Sequence, residues 1–240
     1  MSTFNKRPGV GSYAGVLRRE LSLLNQQYAK RLQLLSRESY GVPPTICYMP
    51  SEDGMTHGNF LSESYCAILR DESWRKRLQK AHSHARRALP REDRAWKELD
   101  SSNSSDALLM NIFCFPGTLK NRTLLDLLGV DPGSVPEFGF KARVPLANGR
   151  ADQTEVDMRL GELLVESKLT ESDFQCREVA LVESYRDFAQ VFDHRNLPRD
   201  ARGFLSYQLI RNVRAAHHGL ARFASCSTLV VRTCVRPGLQ

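Results

Sequence analysis

The sequence predicts an α/β protein of the α+β kind, a mixed central sheet flanked by helices. The expected order is a helix, a three-strand meander, helices and a closing strand, preceded by a helical N-terminal extension. Three observations carry this. Apolar residues recur every three or four positions up to Leu128 and then alternate singly from Phe138. Gly161 separates two further extended runs. After two more helical stretches, the β-branched run STLVVRTCV closes the chain at 227–235. The 240 residues, 41% of them hydrophobic, suffice for one large domain or for a core with an extension. The serine run Ser101–Ser105 suggests the division: residues 1–100 form the extension packed on the core, and residues 101–240 form the core.

Taken in order, Leu17, Leu21, Leu24, Tyr28, Leu32 and Leu35 mark an amphipathic helix over 12–39, ended by Gly41, Pro43 and Pro44, with its stripe in the core. Ser73 is the expected cap of a second helix with Leu78, Ala81, Ala85 and Leu89 inside, stopped by Pro90. Its outer face carries Arg75, Lys76, Arg77, Lys80, Arg86 and Arg87, with Arg91, Arg94 and Lys97 further on. Such a stripe suits phosphates, through counterion release, and equally suits a solvated helix face. Asp106 to Cys114 and Asn121 to Leu128 read as short helices. Strands are expected from Phe138 to Leu146, Thr154 to Leu160 and Leu163 to Leu169, then helices near 177–192 and 202–218.

Composition narrows the classes. No run approaches the roughly 18 apolar residues of a membrane span. The polar start, Met1 to Gly11, does not read as a secretory signal, so a cytoplasmic location is expected. Six scattered cysteines lack CxxC or Cys/His ligand spacing and read as reduced thiols. The six histidines form no HExxH, and no nucleophile elbow or nucleotide-binding glycine loop is present. Lysines and arginines number 34 against 27 acids, a net charge of +7 that favours a polyanionic partner.

The informative segment runs from Glu155 to Lys168. Gly161-Glu162 makes a two-residue hairpin turn, which pairs Leu160 with Leu163, Met158 with Val165 and Val156 with Ser167. One face is then almost wholly apolar. On the other, Asp157 lies across from Glu166, and Glu155 across from Lys168. A one-residue slip would mix these rows, so the pattern fixes the register. For the preceding strand, a three-residue loop Asn148-Gly149-Arg150 would set Phe140 against Met158, Ala142 against Val156 and Lys141 against Asp157. Two carboxylates opposed at about 5 Å repel. A divalent cation bound through oxygen compensates them, with Lys168 nearby to hold a water or a phosphate oxygen. The same row also suits a solvated, salt-bridged sheet face.

Asp157, eight intervening residues and then Glu166-Ser167-Lys168 resemble the motif of the PD-(D/E)XK nuclease superfamily, whose fold is restriction-endonuclease-like. The resemblance covers roughly 106–235, including the element order, and the segment is similar to bacterial proteins assigned to that superfamily as nucleases. Val156 stands where the fullest pattern has proline. The resemblance implies a Mg²⁺ ion, with Mn²⁺ as a substitute, held by Asp157, Glu166 and the Ser167 backbone carbonyl. It implies that Lys168 orients the attacking water. It offers Asp106 and Glu98 as additional acids and Gln208 as a helix residue reaching the site, while Glu155 is either a partner for Lys168 or an additional outer ligand.

The expected function is therefore metal-dependent hydrolysis of phosphodiester bonds in DNA, by a protein that uses no membrane and is compatible with a homodimer. The alternative is a non-catalytic nucleic-acid-binding or assembly protein that keeps the nuclease fold. Intact acids and lysine favour the enzyme, because a pure binder gains nothing from carboxylates beside phosphates.

Overall fold

The computed structural model describes residues 13–39, 42–81, 97–153, 155–170, 175–227 and 232–234. Helix α1 (Tyr13–Arg31) is followed by a strand pair, β1 (Ser36–Glu38) against β2 (Ile46–Tyr48). Helices α2 (Ser62–Arg70) and α3 (Glu72–Arg77) come next, then α4 (Ser105–Phe113) and α5 (Arg122–Leu128). The main sheet consists of β3 (Pro136–Lys141), β4 (Glu155–Leu160), β5 (Leu163–Lys168), β6 (Arg222–Ser227) and β7 (Arg232–Cys234), in the order β7-β6-β5-β4-β3. Between β5 and β6 lie α6 (Val179–Glu183), α7 (Phe188–Val191) and α8 (Tyr207–His218). The sheet is mixed, as expected. β3, β4 and β5 form an antiparallel meander, and β6 runs parallel to β5 because the chain crosses over through the helices. The architecture is α+β and restriction-endonuclease-like.

The core has two sides. Leu109, Phe113, Met158, Leu160, Leu163 and Val165 pack under α4. Val156, Leu164, Tyr207, Ile210 and Phe223 pack under α8. Leu163 to Ser167 are all buried, so both faces of β5 are covered. The charged row expected on one open face is instead divided, Glu166 buried beneath α8 and the Glu155 side chain turned to Arg77 and Lys80.

Several boundaries differ from the sequence pattern. The first helix ends at Arg31, and Gln33 takes a positive φ of 50° before β1 begins, so the first hundred residues are not helical throughout. Leu24, Tyr28, Leu32 and Leu35 are exposed, whereas α1 meets β2 through Ala29 and through the Tyr48 hydroxyl, which donates to Asn25 Oδ1 at 2.7 Å. The second helix is six residues long and is capped by Asp71, which accepts from the backbone of Ser73 and Trp74; Ser73 is not the cap. Leu78 still packs inward, beside Tyr65 and Met110, whereas Ala85, Leu89, Arg86, Arg87, Arg91 and Arg94 lie outside the described residues. The helix expected near 177–192 is divided into α6 and α7 by Asp187, at φ 64°. The last helix starts at Tyr207 because Arg199–Asp200 pairs with Gly203–Phe204 just before it. The apolar run points to a closing strand at 227–235, but the strand that pairs parallel to β5 is β6, which begins at Arg222.

The hairpin register at the Gly161 turn agrees with the sequence pattern, with Leu160 opposite Leu163 and Met158 opposite Val165. That of β3 differs by two residues. Phe138, not Phe140, meets Met158; Phe140 meets Val156; Lys141 meets Glu155 rather than Asp157. The cause is the loop, where Leu146 N–H donates to Arg150 O and leaves Ala147, Asn148 and Gly149 as the three loop residues. Gly149 at φ 80° supplies the left-handed third position that such loops favour. A shift of two preserves the faces, so the apolar pattern could not detect it.

Gly139 stands within β3 at φ 70°, and a Cβ there would lie 2.1 Å from Arg77 Nη1. The strand is notched where a guanidinium passes over it. Gly139→Ala should therefore lower stability by about 2 kcal/mol, combining left-handed strain with displacement of Arg77, read as a fall in Tm.

Candidate active site

Beyond Met158, β4 no longer pairs with β5, although β5 continues to pair with β6 as far as Lys168. Val156 belongs to the core under α8 while Met158 belongs to the core under α4, so the strand changes the side that it buries at Asp157. In the resulting split, Asp157 Oδ2 accepts the Ser167 backbone N–H at 2.8 Å, taking the place of a ladder acceptor. Glu166 is 2% exposed. Its Oε1 meets Lys168 Nζ at 3.1 Å, and its Oε2 accepts from Asn212 Nδ2 at 2.8 Å. Arg211 donates to Asn212 Oδ1 at 2.9 Å and to the Glu155 carbonyl at 3.1 Å. Through these two neighbours α8 grips both strands of the split.

Asp106 lies buried in the first turn of α4, behind the Ser104 cap, where the helix dipole favours an anion. Its Oδ2 receives Arg77 Nη2 at 2.7 Å and Lys80 Nζ at 3.0 Å. The same two cations reach Glu155 Oε1, at 3.1 and 2.9 Å, and Lys80 also meets Glu98 Oε2 at 3.2 Å. Arg77 and Lys80, expected on an outward helix face, are thus turned inward onto the acids, because the helix ends at Arg77 and the next turn folds back. Arg75 and Lys76 remain exposed, Lys76 beside Glu72 at 2.8 Å. Gln208 is half-buried on α8, but the amide that touches Glu166 belongs to Asn212, one helical turn further on. No motif marks Asn212 in the sequence; the signal available is its four-residue spacing from Gln208.

A family model described as restriction endonuclease associating with ARP matches residues 26–231. The chain belongs to this family. No curated protein and no solved structure matches it. For a member of a restriction-endonuclease family, the electrostatics of the split matter most. Burial pushes the Asp157 pKa well above its ordinary 3.8, and the charges of Glu166 and Asp106 push it further; the Ser167 N–H and Lys168 oppose them. Burial also works against charge on Glu155, yet Lys80 and Arg77 outweigh it and hold Glu155 below the usual carboxylate range. Burial likewise disfavours the charge on both cations, but the acids, Asp106 foremost, prevail and raise the pKa of each.

Asp157 and Glu166 are carboxylate oxygen donors on neighbouring strands, the ligand type that a hard divalent cation takes, so these residues fit such an ion. Among the described residues no group of three or more His, Cys, Asp and Glu side chains gathers to hold a metal. An ion here would rest on Asp157 and Glu166 and complete its shell with backbone oxygen, waters and phosphate, the habit of Mg²⁺.

The folded chain holds the Asp157 proton more tightly than the unfolded chain does. Metal-free protein should therefore lose stability as pH rises from 3.8 through the raised value, and keep that stability below the window. Asp157→Asn retains an acceptor for Ser167 and removes the charge. Its metal-free Tm at pH 8 should rise by roughly 2–4 °C, the shift that about 1 kcal/mol produces at this size. An unchanged or lower Tm would mean that the carboxylates do not strain the fold.

Proposed function

We propose that the chain is a metal-dependent nuclease that hydrolyses phosphodiester bonds in DNA, with Mg²⁺ as its ion and Mn²⁺ as a substitute. The observation that carries the reading is the placement of Asp157, Glu166 and Lys168 in the split between β4 and β5, within a restriction-endonuclease family. Asp157, Glu166 and the Ser167 carbonyl would hold the ion. When bound, it would polarise the phosphate and lower the pKa of a bound water. Lys168, 3.1 Å from Glu166 Oε1, would orient that water for attack. Asn212 would fix the rotamer of Glu166, leaving Oε1 toward the lysine.

The family's description names an association with ARP, which we take as a partner of the nuclease. Among the described residues no helix is long and apolar enough to cross a membrane, and we place the protein in the cytoplasm, where DNA is accessible to it. With Arg77 and Lys80 committed to acids, Arg75, Lys141 and Arg143 are exposed candidates for phosphate contact. Lys141 sits opposite Glu155, at the end of the sheet where the split opens.

Asp157→Ala, Glu166→Ala and Lys168→Ala should each reduce Mg²⁺-dependent cleavage of linear and circular DNA by roughly 100-fold or more while leaving DNA binding intact. Full activity in either acid variant would remove the proposed site. Binding without metal-dependent cleavage in the native chain would favour the non-catalytic reading.

Removing the Arg75, Lys141 and Arg143 charges together should weaken DNA binding uniformly across sequences. The slope of log affinity against log salt should fall by up to about one for each phosphate that the variant no longer neutralises. An unchanged slope would assign those side chains to a solvated surface.

A further inference from the structure

We infer that Arg77 and Lys80 are built-in counter-cations that fill the Asp106–Glu155 side of the acid cluster, so that the site takes one divalent cation, at Asp157 and Glu166, and not a second. This rests on the proposed metal site. Five carboxylates lie along one chain of contacts here, no three of them gathered round a single point: Asp106, Glu98, Glu155, Asp157 and Glu166. Arg77, Lys80 and Lys168 offset three of their charges through the contacts described above, leaving two negative charges. One divalent cation balances that remainder. Two would leave a net positive charge in a largely buried cluster, and unpaired buried charge is costly.

The backbone is shaped for these cations. The Arg77 side chain is 10% exposed, and its guanidinium occupies the notch made by Gly139, where any Cβ would collide with it. Trp74 anchors α3 to β3 by donating from Nε1 to the Pro136 carbonyl at 2.9 Å and by meeting the Phe138 ring edge-on. The guanidinium is therefore held between Asp106 and Glu155, and both acids have their nearest oxygens engaged by nitrogen.

The test is a calorimetric titration of the full chain with Mn²⁺, which counts sites without catalysis, supported by the electron paramagnetic resonance of the bound ion. The native chain should bind one equivalent with the spectrum of an isolated ion, and Asp157→Asn should abolish that binding. The double variant Arg77→Met, Lys80→Met should gain a second equivalent and show coupling between neighbouring ions. Should that variant fail to fold, the charge-balanced pair Asp106→Asn, Lys80→Met decides. It should keep the single Mn²⁺ affinity within about threefold, whereas loss of a true ligand costs at least the roughly 10–100-fold of an outer-partner mutation. Two equivalents in the native chain, or a tenfold loss in the charge-balanced pair, would overturn the inference and leave the metal site standing. No binding, or binding unaffected by Asp157→Asn, would instead bring down the metal site itself.

Discussion

Asp157, Glu166 and Asp106 bring like charge together in a place with little water to screen it, and the surrounding structure reads as the response. Carboxylates at such spacing repel, the more strongly as burial lowers the local dielectric. Lys168 answers Glu166 from the same strand, and Arg77 and Lys80 answer Asp106 and Glu155 from outside the sheet. Burial first, and then the Glu166 and Asp106 charges, raise the proton affinity of Asp157, whereas Lys80 and Arg77 lower that of Glu155. Neighbouring acids on one strand are thus driven in opposite directions by their surroundings, which separates a carboxyl that holds its proton more tightly from one locked in a salt bridge.

The split between β4 and β5 makes room for this chemistry at small cost in hydrogen bonding. A regular ladder would place a backbone carbonyl against the Ser167 N–H; here Asp157 Oδ2 takes it. Arg211 and Asn212, both buried on α8, hold the separated strands from one side, and Asp106 on α4 faces the gap from the other. The first hundred residues are part of the same construction. Phe60, Tyr65, Ile68 and Leu99 close over Ala107 and Met110 of α4, and Arg18 reaches the Thr170 carbonyl at 2.8 Å just past β5.

Legibility in the sequence follows the strength of the local rule. The hairpin from Glu155 to Lys168 is readable because alternation, a turn glycine and charge pairing agree, and its register stands at the turn. Its far end is not, since nothing in the alternation of Val156 and Met158 reveals that they bury on opposite sides of the sheet. The β3 register escapes for a different reason, a loop displaced by one residue, which keeps every face and alters every partner. Strand β6 escapes because Ala224 and Ser225 are small residues, whose burial between β5 and β7 comes from position in the sheet and not from apolar bulk.

The basic stripe shows where a one-dimensional reading of charge stops. Continued as a helix, the residues after Trp74 put arginine and lysine on a solvent face; ended at Arg77, the same residues bring two cations under the sheet edge. Propensity hardly separates these outcomes, because arginine and lysine are good helix formers. Tertiary features separate them: the Trp74 indole hydrogen bond to Pro136, the missing side chain at Gly139, and buried acids that stabilise any cation able to reach them. Pro136, Gly139 and Asp106 all lie far from Arg77 in sequence. Positive charge near a nuclease motif is thus no evidence of a phosphate contact until the acids of the motif have been given their own counter-ions.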